Sequence, residues 1–302
     1  MIRTGCKKEN TSVKPVYSTN NDMEPSLIAF VYGLASAFTW GAGDFSGGVA
    51  SKKSSTYTVV LVSQIVGGLL LVGLALLFRE PMTTWTNLLV GGAAGVAGMM
   101  GILALYTGLA QGRMGVVAPL TAVFAAALPI LISAFTEGLP SLTTLIGFGV
   151  ALAAVWFLSA GGSQGKITRR EFTYAVIAGT GFSLFFILID RVSGNAVFWP
   201  LVGARVASIS VIGLFMGIRR VGKRPSSSQL PVIALAGILD AGGNAFFALA
   251  AQAGRLDIAA VLASLYPAST VMLAWLILKE RLEGSQWLGI AAALIALVLI
   301  AI

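Results

Sequence analysis

Gln111-Gly112-Arg113-Met114-Gly115-Val116-Val117-Ala118 and Gln252-Ala253-Gly254-Arg255-Leu256-Asp257-Ile258-Ala259 read as two versions of one turn between apolar stretches. Their Gly-Arg pairs stand about 142 positions apart, close to half of the 302 residues, an offset that an internal duplication leaves behind. A second pairing agrees. Gly33 precedes Asp44 by the same distance as Gly179 precedes Asp190, at an offset of about 146. Counting outward from these turns gives ten apolar stretches, five in each half. Five is odd, so if every stretch crosses a bilayer the second half enters it upside down relative to the first, as in inverted-repeat transporters.

Composition places the chain in a membrane. Hydrophobic residues make up 57% and charged residues 11%, with mean hydropathy +0.88. Ordinary soluble domains carry roughly 25% charge. The net charge of +8 does not point to nucleic acid, because the cations sit in short runs between apolar stretches, such as Lys52-Lys53, Lys166 to Arg170 and Arg219 to Arg224. The single cysteine, Cys6, excludes an intramolecular disulfide. The polar tail has no apolar core of its own, which argues against a cleaved signal peptide, and Met23 is an alternative start.

At roughly twenty residues per crossing, the spans are expected near Leu27 to Gly48, Thr56 to Phe78, Asn87 to Ala110, Met114 to Phe135 and Leu142 to Ala160, then Phe172 to Ile189, Ala196 to Ile218, Leu230 to Gln252, Leu256 to Leu278 and Gln286 to Ile302. The chain thus divides into a tail (1–26), a first five-helix repeat (27–160), a basic linker (161–171) and a second repeat (172–302). The fold class is all-α, an integral membrane protein of ten transmembrane helices in two inverted five-helix repeats. Pro119, Pro129 and Pro267 fall inside the fourth and ninth spans, where a matched pair of bends would make a hinge. Most Lys and Arg outside the spans fall on the odd-numbered loops, which the positive-inside rule places in the cytoplasm with both termini outside; the cations of the tail weaken that orientation.

Ionisable groups within the spans are few and costly, about 2.5 to 3.5 kcal/mol each at a helix centre. Asp240 lies midway along the eighth span with Asn244 one turn later on the same face. Arg205 lies in the seventh, and Asp44 and Asp190 fall at matching positions toward the ends of the first and sixth. Gln64 stands in the second span where Arg205 stands in the seventh, so the halves differ chemically. Two readings stand side by side. Arg205 pairs with Asp240 or Asp190 as a static clasp between helices, or these groups line a water-filled cavity and bind substrate or protons. Trp40, Gln64, Tyr106 and Tyr266 are candidate lining residues, Trp40 being one turn before Asp44. With no histidine, proton coupling falls to carboxylates.

An enzyme is not expected. Without histidine, and with its one cysteine in the tail, the chain cannot build the usual nucleophile–base pairs or most transition-metal sites, and it has no P-loop. No cofactor or metal is expected.

The ninth and tenth spans, SLYPASTVMLAWLILKERLEGSQWLGIAAALIALVLIAI, resemble the carboxy-terminal part of an EamA repeat, with Lys279-Glu280-Arg281-Leu282 at its characteristic turn. Glu137 in SAFTEGLPS holds the equivalent place in the first half, WGAGDFSGGVASKKSS resembles the opening of the same repeat, and Arg205 in LVGARVASIS is similar to an arginine often found there. The resemblance covers Leu27 to Ile302 and implies the drug/metabolite transporter superfamily. Two positions depart from it: no basic residue follows Glu137, and Gln64 replaces the arginine that repeat symmetry would supply.

The resemblance implies a secondary transporter of small polar or amphipathic metabolites, an exporter in a prokaryotic inner membrane, working by alternating access. Its expected partners are a small-molecule substrate and the lipid bilayer, with no nucleic acid; monomer and homodimer both stay open. Efflux of cationic drugs is the alternative within transport. A non-transporting sensor or assembly subunit is the alternative outside it.

Overall fold

The computed structural model describes residues 24–111, 114–160, 168–278 and 283–301. The tail with Cys6, the Gly112-Arg113 turn, most of the linker and the Lys279-Glu280-Arg281-Leu282 turn lie outside them. The described residues form helices α1 (Glu24–Lys53), α2 (Thr56–Leu77), α3 (Trp85–Gln111), α4 (Met114–Thr136), α5 (Leu142–Ala160), α6 (Arg169–Val192), α7 (Phe198–Arg219), α8 (Leu230–Ala253), α9 (Leu256–Ala263), α10 (Tyr266–Leu278) and α11 (Gly284–Ala301). By length and composition α2, α3, α6, α7, α8 and the run Leu256–Ile277 can each cross a membrane. The apolar stretches Leu120–Thr136, Leu142–Phe157 and Gly284–Ile300 are slightly shorter.

Three boundaries differ from the sequence reading, each for a local reason. Helix α1 continues to Lys53, more than a turn past Gly48, so Asp44 lies well inside the helix rather than at its end. Helix α6 starts at Arg169 because Thr168 and Glu171 form a capping box: the Thr168 hydroxyl accepts from the Glu171 N–H at 3.2 Å, and the Glu171 carboxylate accepts from the Thr168 N–H at 2.9 Å. The ninth span is two helices, broken at Ser264-Leu265. Pro267 has no N–H to give the Ala263 carbonyl, and α9 ends at Ala263.

Helix α4, by contrast, runs straight through Pro129. The carbonyl that this proline leaves without a donor belongs to Ala125, and Ser183 of α6 donates to it at 2.9 Å and to Phe124 at 2.8 Å. Of the expected pair of bends, the described residues show a break in the helix before Pro267, while α4 is continuous through Pro129.

The packing maps onto itself when the halves are exchanged. Helix α1 lies on α8 as α6 lies on α3, α4 lies on α6 as α9 and α10 lie on α1, and α2 meets α7 while α5 meets α11. Gly33 of α1 faces Leu262 of α9, and Gly179 of α6 faces Phe124 of α4. Nearly every extensive interface joins one half to the other. In lipid, where burial of apolar side chains gains little, such contacts depend on small residues and interhelical hydrogen bonds. A Cβ on Gly67 would lie 2.8 Å from the Gly237 carbonyl, so α2 and α8 touch backbone to backbone there. Ser36 donates to the Gly243 carbonyl at 2.9 Å and Thr270 to that of Gly41 at 3.0 Å.

The loops segregate into two ends. Glu80, after α2, caps α7: its carboxylate accepts from the N–H groups of Val197, Phe198 and Trp199 at 2.6 to 3.1 Å, and the Trp199 indole donates to the Glu80 carbonyl at 2.9 Å. A carboxylate suits a helix N-terminus whose own N-cap residue, Val197, has no side chain to offer. At the opposite end Thr58 donates to the Lys223 carbonyl at 2.9 Å, and Tyr174 to Gln111 at 3.4 Å. Even-numbered loops thus meet even, and odd meet odd, as an up-and-down bundle requires.

The role given to Ser183 is testable. Ser183→Ala is expected to lower stability in detergent by about 1 to 2 kcal/mol through the carbonyl left unsatisfied. Placed in a Pro129→Ala background, where the helix regains its own N–H, the same change should cost clearly less. Equal losses in both backgrounds would contradict the assignment.

Candidate functional site

Arg205 is the charged centre of the bundle. Its place on α7 points it at α2 and α8, which the contact between Gly67 and Gly237 holds close together. One guanidinium nitrogen, Nη2, lies 2.7 Å from Oδ2 of Asp240. The other, Nη1, donates to Oε1 of Gln64, which also accepts from the Ser208 hydroxyl at 3.0 Å. The contact to Asp240 is ionic, its angles falling outside hydrogen-bond geometry, and neither of those two atoms has a hydrogen bond among the described residues. Exposure is 6% for Arg205, 8% for Asp240 and 2% for Gln64. Each charge would be costly here alone, and together they are tolerated.

This geometry accounts for the broken symmetry at Gln64. Helices α2 and α7 face each other, and the residue at 64 lies within reach of the Arg205 guanidinium. A neutral amide there accepts from Arg205 and Ser208 at once.

Around this pair lies a cavity lined by Trp40, Asp44, Gln64, Gly95, Gly98, Met99, Ile102, Phe182, Phe185, Phe186, Leu201, Ala204, Arg205, Asp240, Asn244 and Tyr266. One wall is aromatic. Trp40 stacks on Phe186 with centroids 5.4 Å apart, and both stack on Phe247, at 5.9 Å and 4.4 Å. Tyr266 donates its hydroxyl to the Ala118 carbonyl at 3.0 Å, tying α10 to α4. The space open to the centre of a water molecule is about 40 Å³. That admits water, which needs about 10 to 15 Å³ on this measure, and leaves no room for a metabolite until the helices part.

Seven of the nine expected residues come together here: Trp40, Asp44, Gln64, Arg205, Asp240, Asn244 and Tyr266. Two do not. Tyr106 packs behind α1 against Gly47, its hydroxyl reaching the Gly43 carbonyl at 3.5 Å. Asp190 lies in the last turn of α6, directly before the C-cap Ser193, whereas α1 continues for more than two turns past Asp44. The helix that ends early carries its acid to the rim, so Asp190 is neither in the cavity nor the partner of Arg205. The sequence reading missed Phe186, although the offset of about 146 that pairs Asp44 with Asp190 pairs Trp40 with Phe186.

The even-loop end is latched. Arg255, at the start of α9, donates to the carbonyls of Glu137 at 3.2 Å and Gly138 at 2.6 Å and binds the Asp257 carboxylate at 2.9 and 3.1 Å; the Glu137 carboxylate lies at 3.9 Å. The hydrogen bond to Asp257 raises the already high pKa of Arg255. Beside it Gln252 donates to the carbonyls of Ser193 and Gly194 at 3.0 and 3.1 Å. Among the described residues, the odd-loop end has a polar recess of about 530 Å³ that includes Ser51, Lys52, Ser55, Tyr57, Thr107 and Gln111.

An all-helical bundle, with several helices apolar and long enough to cross a bilayer and an ion pair at its heart, defines a multi-pass membrane protein. The EamA-like transporter family matches the chain twice, over residues 27–160 and 170–302, and the chain belongs to that family, within the drug/metabolite transporter superfamily. Among solved structures, a crystal structure described only as that of a protein is similar in fold, with a TM-score of 0.71 at 15% identity, covering 90% of this chain and 95% of that one. No curated protein matches the sequence.

If Arg205 and Asp240 hold each other's charge, Arg205→Ala should cost about 3 to 5 kcal/mol by leaving a buried acid unpaired. Adding Asp240→Ala should recover part of that loss, while adding Asp190→Ala should recover none. Thermal unfolding in detergent decides this, and strictly additive losses for Arg205 and Asp240 would refute the pairing.

Proposed function

We propose that this protein is a secondary transporter that exports small polar or amphipathic metabolites across a prokaryotic inner membrane, by alternating access between two inverted five-helix repeats. The observation that carries this reading is the Arg205–Asp240 pair inside a membrane bundle, beside a second carboxylate and an amide that line the same cavity. A static clasp would need no Asp44 or Asn244. Intramembrane ionisable groups that face a cavity mark substrate and ion pathways.

Several features favour this cycle. The grouping of even with even and odd with odd loops fits ten crossings, α9 and α10 together making one of them. The bundle is latched at its even-loop end and recessed at its odd-loop end, the end rich in lysine and arginine. Positive-inside logic places that recess in the cytoplasm, where an exporter loads. With no histidine in the chain, coupling to protons falls to the cavity carboxylates, Asp240 foremost.

A screen of metabolites in reconstituted vesicles under an imposed pH gradient tests the reading. Gradient-driven flux of at least one small metabolite is expected, and Asp240→Asn, compared at equal amounts of folded and inserted protein, should lose most of it. Full flux from that variant would remove Asp240 from the coupling path. No flux of any metabolite, with the cavity closed to water from both ends, would favour a structural or sensory membrane protein.

A further inference from the structure

We infer that the recess at the odd-loop end, apart from the central cavity, is a binding site for a phosphoryl oxyanion, carried by a phospholipid headgroup or by a soluble phosphate ester. Helices α2 and α7 begin about 142 positions apart, at Thr56 and Phe198, and are counterparts in the repeat. The N-terminus of α7 is closed from within, by the Glu80 carboxylate on the N–H groups of Val197, Phe198 and Trp199. That of α2 is open. Its N-cap, Ser55, makes no side-chain hydrogen bond to the helix, its first turn holds no acid, and among the described residues nothing accepts from the N–H groups of Thr56, Tyr57 and Thr58. At the place that matches Glu80 stands Val221-Gly222, inside the basic run Arg219 to Arg224. That run lies on the first turn of α2, where Thr58 donates to the Lys223 carbonyl at 2.9 Å.

A second observation points the same way. Ser51, 8% exposed, lines the recess, and its hydroxyl has no hydrogen-bond partner among the described residues. A helical serine can satisfy its hydroxyl on the carbonyl four residues back, as Ser46 does on Ala42 at 2.8 Å; Ser51 does not. A buried hydroxyl left alone is costly, and an oxyanion in the recess would accept from it. Lys52 and the hydroxyls of Ser54 and Thr56 line the same space, and neither 51–57 nor 107–111 contains an acid. Open N–H groups at the positive end of a helix, several hydroxyls and a lysine, with no competing carboxylate, match the several oxygens of a phosphoryl group. At about 530 Å³ the recess also leaves space for whatever that group is attached to. It shares no residue with the central cavity, so its assignment does not rest on the transport reading.

The test has two arms, both on the full-length protein in neutral detergent after removal of bound lipid. Calorimetry compares glycerol 3-phosphate with acetate at matched ionic strength, and native mass spectrometry compares phosphatidylglycerol with diacylglycerol, which lacks the phosphoryl group. At least one phosphoryl probe should bind at least about tenfold more tightly than its control. Binding of glycerol 3-phosphate supports a soluble ester, and binding of phosphatidylglycerol alone supports a headgroup. Ser55→Asp gives α2 an acid at its own N-cap, as Glu80 serves α7. That variant should be at least as stable as the wild type and should bind the phosphoryl probe about tenfold more weakly or worse. If it fails to fold, Ser51→Ala with Lys52→Gln decides by the same loss of binding. The inference is overturned if neither phosphoryl probe exceeds its control, or if the folded variant binds the probe as tightly as the wild type.

Discussion

Everything in this bundle is arranged around one ion pair. Arg205 and Asp240 are 2.7 Å apart in a region where either charge would be costly by itself, and the helices that carry and flank them pack together there. Helix α7 carries the cation and α8 the acid, α2 supplies the amide that takes up the second guanidinium nitrogen, and α1 closes the site with Asp44. Beside the pair, α2 and α8 touch backbone to backbone, with glycines at 67 and 237. A pair of this kind adds little net stability over a well-packed apolar core, since desolvation offsets most of the attraction.

Much of this was legible in the sequence. Helix positions follow from apolar length, and the two halves from the recurring Gly-Arg and Gly-to-Asp spacings, which the packing mirrors when Gly33 meets Leu262 and Gly179 meets Phe124. The scarcity of charge within the spans also singled out most of the site, because a membrane admits so few ionisable groups that each is conspicuous. What could not be read was depth. Asp44 and Asp190 occupy matching places in the repeat, yet α1 continues past its acid and α6 stops at Ser193, so one acid faces the cavity and the other the rim.

Long-range hydrogen bonds were equally invisible in the sequence. Nothing in the loop after α2 announces that Glu80 caps α7, or that Ser183 supplies the bond Pro129 cannot make. The prolines themselves were read as a pair, and only the one at 267, with no neighbouring hydroxyl on the Ala263 carbonyl, interrupts its span. Local pattern gives the elements, and the partners that complete them come from the other half of the chain.

On the proposed transport cycle, the Arg205–Asp240 site is reached from one end of the molecule at a time, with Arg255 holding the even-loop end together. The most direct measurement places a single cysteine at Asn244 in a Cys6→Ser background and labels it with a small charged methanethiosulfonate reagent in vesicles of both orientations. With Arg255 intact, labelling is expected from the odd-loop end; with Arg255→Ala, labelling from the even-loop end should appear and grow several-fold. Labelling from neither end, or from the same single end in both proteins, would contradict the account.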